Sequence, residues 1–298
     1  MDNKKNLSGV FAPVTTPFLE DGAVDYAGLE RNMARYAQSP IKGYLALGSN
    51  GENKSMLPEE KRRVLEIIVQ NKGAGQVVMT GCIAESTIET IRLAQEACEV
   101  GTDYVTLLSP SYFKKQMTDA TLLRYFTDVA DSVGRPCLVY CAPQFTGGIT
   151  LSNALVRQLA AHPNIAGMKD SSTGNVDGYL MAAPADFCVM AGSANFFLSA
   201  LIGGATGGVI SLANAFPEVT NRLYERFCAR DYEACFALNR EILQLNGAVS
   251  GKGGVAAVKY AMDLAGFAGG RPRLPLLPLE EADQAAIRRT LAEKGLIQ

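Results

Sequence analysis

Short apolar runs alternate with amphipathic stretches eight times along this chain, and that alternation limits what it can become more than any other feature. The runs are GVFAPVTTPF (9–18), YLALG (44–48), VVMTGCI (77–83), YVTLLS (104–109), CLVYCAP (137–143), IAGMKDS (165–171), FCVMAGS (187–193) and GGVISLAN (207–214). Their cores are mostly continuous apolar residues, which suits parallel strands covered on both faces. Between them lie helical patterns with recognisable ends. LPEEKRRVLEIIVQNK places Pro58 and two acids at a helix start. ESTIETIRLAQEACEVG stops at Gly101, and TDATLLRYFTDVADSVG runs from a Thr118 N-cap to Gly134. LSNALVRQLAAHPN starts from a Ser152 N-cap. Strand–helix repeated eight times predicts an α/β fold, the closed (β/α)8 TIM barrel.

After Asn214 the strand pattern stops. Four further helical stretches fill residues 217–298, with a Pro-rich connector over Gly269–Pro278. The expected organisation is a (β/α)8 barrel over residues 1–225 and a C-terminal helical region over 226–298. An open doubly wound sheet is the competing architecture, but its G-x-G-x-x-G fingerprint after the first strand is missing. GSNGENKS resembles a phosphate loop, yet Asn53 stands where Gly must precede the lysine. The glycines of GGATGGVIS fit either a phosphate contact or a turn into the last strand.

Composition removes several function classes. Lys plus Arg number 28 against 30 Asp plus Glu, net charge −2, so nothing marks a nucleic-acid partner. No apolar run approaches the ~20 residues of a membrane span, and the first residues lack the apolar segment of a secretory leader. The seven cysteines form no C-x-x-C pair and His162 is the only histidine. No metal and no cofactor is therefore expected, and the cysteine pattern suits a reducing cytoplasm. His162, before Pro163 in a turn, reads as structural.

Functional groups of a barrel sit at the C-terminal ends of its strands. Those ends carry Ser49-Asn50-Gly51-Glu52, Ser109-Pro110-Ser111-Tyr112, Tyr140-Cys141-Ala142-Pro143 and Lys169-Asp170. If Lys169 points inward, Gly167 and Ile165 do too, and Gly167 leaves space beneath the lysine. If Tyr140 points inward, Leu138 and Ala142 accompany it. Adjacent strands could then place an amine and a phenol in one pocket. An amine in water has a pKa near ~10.4. Desolvation lowers such a value and makes the amine a nucleophile toward a carbonyl. The resulting Schiff base is an electron sink, and a phenol can move protons around it. Ser49-Asn50-Gly51 could offer N–H groups to an anion, while Glu52 anchors the loop. Each motif also has an ordinary reading. A strand-end lysine snorkels, a strand tyrosine packs, and Ser-Asn-Gly makes a turn. Cys141, beside Tyr140, is the cysteine to test for reactivity.

The ordered set GVFAPVTTPF, GSNGE, SPSYF, VYCAPQFTGG, IAGMKDSS, AGSANF and GGATGGVISLANAFPE resembles the dihydrodipicolinate synthase and N-acetylneuraminate lyase family over nearly the whole chain. That resemblance implies a class I, pyruvate-handling aldolase, a C–C lyase and a homotetramer. It makes Lys169 the Schiff-base lysine and Tyr140 the proton shuttle. Ser49 and Asn50 fall where the keto acid carboxylate binds. Tyr112 falls where a tyrosine reaches across an interface into the neighbouring site. Ile210 falls where a backbone carbonyl faces the pyruvyl group. Two departures bear on the second substrate, an aldehyde. Dihydrodipicolinate-forming members carry G-T-T-G-E where this chain has Ser49 and Asn50. Phe145 stands where those members place an arginine that grips a second carboxylate. The loop and the G-M-K-D-S strand look closer to 4-hydroxy-2-oxoglutarate aldolases, with 2-keto-3-deoxy sugar acid aldolases as relatives in chemistry. Dihydrodipicolinate synthase itself, condensing pyruvate with aspartate semialdehyde, and a Schiff-base dehydratase are the rival enzymes. A barrel that merely senses small acids is the non-catalytic rival.

Overall fold

Eight parallel strands close into one barrel, each paired with the next and the eighth with the first. They are β1 (Gly9–Pro13), β2 (Gly43–Ala46), β3 (Val77–Cys82), β4 (Tyr104–Leu108), β5 (Cys137–Cys141), β6 (Ile165–Asp170), β7 (Cys188–Ala191) and β8 (Gly207–Val209). A short helix, α1 (Asn3–Asn6), precedes them. The barrel helices are α2 (Tyr26–Ala37), α3 (Pro58–Gln70), α4 (Thr87–Val100), α5 (Asp119–Asp131), α6 (Asn153–Ala160), α7 (Val176–Ala182), α8 (Phe197–Gly203) and α9 (Pro217–Cys228). The extension is α10 (Tyr232–Ser250), α11 (Gly254–Leu264) and α12 (Glu281–Glu293). This computed structural model describes residues 2–251 and 253–297.

Local chemistry sets the helix ends. The Thr121 N–H donates to Thr118 Oγ1 at 3.3 Å, and the Leu155 N–H to Ser152 Oγ at 3.0 Å. Pro58 opens α3, and Gly101 closes α4 at φ 108°, a left-handed turn that suits glycine. α5 stops earlier than Gly134, at Asp131, where the Ser132 N–H bonds back to Val129. The glycines after α8 are turn and strand residues: Gly204 caps α8 at φ 107°, and Gly207 and Gly208 lie in β8. A Cβ on Gly207 would lie 2.1 Å from the Gly9 carbonyl oxygen, so the β1–β8 seam closes only over glycine.

Every strand residue is buried, as the continuous apolar runs require. The larger core lies between strands and helices, and a second fills the barrel with Phe11, Leu45, Met79, Tyr104, Leu138 and Met190 among others. Leu7 joins this inner layer from below, and the Tyr104 hydroxyl donates to Asn3 Oδ1 at 3.0 Å. The segment around α1 thus plugs the bottom of the barrel. Observed strands are shorter than the apolar runs. At the upper rim the backbone leaves the ladder for short 3-10 turns, Ser49–Gly51, Pro143–Phe145 and Ser211–Asn214. The 225/226 boundary expected from sequence falls inside α9. Among the described residues no helix is long and apolar enough to cross a membrane.

Two expectations are corrected. Ile165 does not face inward with Lys169; it packs in the layer between strands and helices, while Ala166 joins the inner core. The pairing explains this. Cys137 pairs with Ile165 but Leu138 pairs with Gly167, so Ala166 is one extra residue in β6. A bulge of this kind shifts the alternation by one position. Gly167 also does not leave a void under the lysine. A Cβ there would meet the Cys188 carbonyl oxygen at 2.2 Å, so the space is taken by the β7 backbone.

Candidate active site

Above the inner core the rim opens into a cavity of about 840 Å³. Its walls include Ser49, Asn50, Tyr140, Phe145 and Lys169 from the sequence-derived set. Tyr140 and Lys169 are register partners on β5 and β6. Lys169 Nζ lies 4.0 Å from the centroid of the Tyr140 ring. Both side chains are buried, Lys169 at 5% exposure and Tyr140 at 3%. Lys169 has no carboxylate partner among the described residues.

The Ser49–Gly51 turn stands opposite. The N–H groups of Gly51 and Glu52 donate to Gly48 and Ser49 carbonyls at 3.1 and 3.0 Å. The N–H groups of Ser49 and Asn50, first in the turn, have no intramolecular acceptor among the described residues, as helix starts leave them. The Asn50 amide donates to Ser211 Oγ at 2.9 Å. Gly51 supports the turn from behind, accepting from Thr16 Oγ1 at 2.8 Å. Ile210 follows β8 with a fully buried side chain, and its carbonyl accepts the Ala213 N–H at 3.0 Å. Its neighbour Ser211 lines the cavity. Phe145, 53% exposed, lines the outer part of the cavity next to Gln144.

Tyr112 stays out of the cavity of its own chain. It is 81% exposed, edge-on to Phe113, on a loop whose Ser111 and Tyr112 N–H groups donate to Glu85. His162 serves the turn before β6: its Nδ1 accepts the Asn164 N–H at 3.2 Å and its Nε2 faces Asp131. Cys141 lies on the far side of β5, in the layer under the helices, 3.6 Å from the Tyr179 hydroxyl. Burial pushes its thiol up, which disfavours the thiolate needed for reactivity. Behind Lys169, burial likewise raises the Asp170 carboxyl, which accepts from the Ser172 N–H and hydroxyl at 2.9 and 2.6 Å.

Sequence reasoning missed part of the wall. Ser211 and Asn195 sit in stretches read for a strand or for the family resemblance but not as site residues, and Gln144 between Pro143 and Phe145 gives a local clue. Asn246 gave none. It lies on α10, is 6% exposed, and donates to Asn195 Oδ1 at 2.9 Å. The extension therefore builds the roof of the cavity, with Asn246 and Ser250 from α10 and Val255 and Val258 from α11. Among the lining residues the structure describes, Lys169 is the one formal charge. No group of three His, Cys, Asp or Glu among the described residues is placed to hold a metal.

Comparison with known proteins supplies the frame for this geometry. The family model described as the dihydrodipicolinate synthetase family matches residues 6–294. A 4-hydroxy-tetrahydrodipicolinate synthase of Acidiphilium cryptum is 35% identical over 292 residues, 97% of this chain and 99% of that protein. A protein of Emericella nidulans named "Probable 4-hydroxy-2-oxoglutarate aldolase, mitochondrial" is 33% identical, covering 98% of this chain and 96% of its own. A dihydrodipicolinate synthase from Acinetobacter baumannii, solved with pyruvate, superposes with a TM-score of 0.92 at 28% identity, over 98% of this chain and all of the other. A prophage protein of E. coli K12 from the same family, also solved with pyruvate, gives a TM-score of 0.88 at 27% identity, over 97% and 99%.

Proposed function

The chain belongs to the dihydrodipicolinate synthetase family, and on that premise we propose that Lys169 forms a Schiff base with a 2-oxo acid and that the enzyme cleaves or makes the bond that releases pyruvate. Its class is that of a carbon–carbon lyase, a pyruvate-dependent class I aldolase. The observation that carries the residue assignment is the buried Lys169 amine, set over the Tyr140 ring in the cavity without a carboxylate partner.

The steps follow from that placement. The 2-oxo acid carboxylate is held by the Ser49 hydroxyl, the Asn50 amide and the first N–H groups of the turn. The Lys169 amine adds to the C2 carbonyl; water leaves and an imine forms. Tyr140 carries the protons this exchange requires. In cleavage, a base removes the proton of the C4 hydroxyl, the C3–C4 bond breaks, and the aldehyde departs. The bond's electron pair enters the imine as an enamine. Protonation at C3 and hydrolysis then release pyruvate and restore the amine. Tyr112 belongs to the site of a partner copy in this reading, which fits its exposure, and the assembly is a homotetramer. Ile210 faces the pyruvyl end through its backbone. Seven free cysteines suit a reducing cytoplasm.

The aldehyde is of the 4-hydroxy-2-oxoglutarate or 2-keto-3-deoxy sugar acid type. Phe145 offers no partner to a second carboxylate, which supports the sugar acid type, whose aldehyde half is uncharged, over aspartate semialdehyde and also over 4-hydroxy-2-oxoglutarate, whose aldehyde half keeps a carboxylate. The 35% identity to a 4-hydroxy-tetrahydrodipicolinate synthase favours the other reading. Two measurements decide. Borohydride with pyruvate should leave a reduced pyruvyl adduct on Lys169 by mass spectrometry; no adduct, or an adduct elsewhere, removes the mechanism. Efficient condensation of pyruvate with aspartate semialdehyde would establish the synthase reading instead.

A further inference from the structure

The carboxylate turn is held in an unusual way. Two non-glycine residues in the left-handed region bracket it, Leu47 at φ 52° and Glu52 at φ 53°. Such backbone costs on the order of 1 kcal/mol or more and persists only where its surroundings enforce it. At Leu47 the enforcing group is Asn53, whose amide donates to the Leu47 carbonyl at 2.8 Å. At Glu52 it comes from far along the chain. The Glu52 carboxylate is buried at 4% exposure, meets Lys259 Nζ in an ion pair, and accepts the Arg273 N–H at 2.8 Å.

Lys259 is fully buried in the middle of α11. Its ammonium also donates to the Arg271 carbonyl at 2.8 Å and lies 4.4 Å from the Phe18 ring centroid. The charged groups that act on it are Glu52 from the turn, Asp263 from α11 and Arg273 from the connector. A buried pair gains little over a well-packed apolar pair, so its use here is in fixing geometry. The same helix gives Val255, Ala256 and Val258 to the cavity wall. We propose that Glu52 and Lys259 form a positioning pair: α11 clamps the exit of the Ser49–Gly51 turn, and thereby sets the affinity for the 2-oxo acid rather than the chemistry at Lys169. This rests on the Schiff-base reading above.

The chemistry of the clamp gives it a pH signature. Burial, outweighing the attraction of Glu52, lowers the Lys259 ammonium to about 8. Below that pH the pair is charged and the turn is held; above it Lys259 goes neutral and Glu52 loses its counter-ion.

The test is borohydride trapping at graded pyruvate concentrations, with steady-state kinetics alongside, on wild type, Lys259→Met and Glu52→Gln. The half-saturating pyruvate concentration should rise about tenfold in each variant, with trapping at saturation close to wild type and kcat changed far less than KM. In the wild type that concentration should climb between about pH 7 and pH 9, and both variants should lack the climb. A merely structural role would lower the active fraction and leave half-saturation where it was. If Lys259→Met does not fold, Glu52→Gln and the wild-type pH profile carry the test. A wild-type adduct on Lys169 with unchanged half-saturation in the variants and no climb with pH overturns the clamp and leaves the Schiff-base reading intact. No wild-type adduct overturns both.

Discussion

Two regions of the molecule each bury a lysine, and they treat it in opposite ways. At the rim, Lys169 is 5% exposed, faces the Tyr140 ring and forms no ion pair with a carboxylate among the described residues. At the junction of barrel and extension, Lys259 is 0% exposed, faces the Phe18 ring and is paired with Glu52. Burial and an aromatic face are common to both. The counter-ion and the cavity separate them: one amine is left open to a carbonyl, the other is closed off by its carboxylate. Burial alone therefore does not identify a nucleophilic lysine.

That contrast predicts different losses. Lys169→Ala should abolish the borohydride adduct and lower kcat/KM by roughly 10³-fold or more, with folding retained by circular dichroism. An intact adduct in that variant would mean another lysine does the work. Tyr140→Phe should keep the adduct but slow turnover by roughly 10²–10⁴-fold, read in single-turnover cleavage. Lys259→Ala should do the reverse, destabilising the fold by about 3–5 kcal/mol in urea titrations because Glu52 is left buried alone. Replacing Glu52 and Lys259 together by apolar residues should recover much of that loss.

The pH dependence has an unusual sign. Lys259 is lowered from 10.5 to about 8 by burial, so between those values the unfolded chain binds one more proton than the folded one. Stability should accordingly rise as pH climbs through this range, by less than the burial of Lys259 alone would give because Glu52 loses its partner, while affinity for the 2-oxo acid falls. Urea midpoints near pH 7.5 and pH 10, compared with those of Lys259→Met, check it; equal slopes would remove the assignment. The smallest effect concerns the outer cavity. Phe145→Arg should raise kcat/KM for aspartate semialdehyde by about tenfold, since a charged hydrogen bond contributes ~1.5–3 kcal/mol.

Much of this architecture was legible in the residues. The eight apolar runs became the eight strands, and Thr118, Ser152 and Gly101 cap the helices whose ends they mark. The amine–phenol pair could be placed because adjacent parallel strands bring equivalent heights together. What escaped was non-local. The extra residue at Ala166 depends on how β5 and β6 pair, which no pattern within β6 reveals. Asn246 and Lys259 look like ordinary polar positions on their helices; their meaning comes from Asn195 and Glu52, 51 residues away and on the far side of the barrel sequence. The strands were overlong in the reading because hydrophobicity continues past the point where the ladder ends.

The plug of Leu7 and Asn3 beneath Tyr104 has a kinetic consequence. A barrel sealed at its base has one door. On the proposed mechanism the imine carbon would form beside Lys169, and the aldehyde half would lie toward Phe145, the more exposed of these lining residues. In cleavage the aldehyde must therefore leave first and pyruvate last; in synthesis pyruvate must come in before its partner. Pyruvate should then compete with the cleaved substrate for the free enzyme, while the aldehyde product should inhibit noncompetitively.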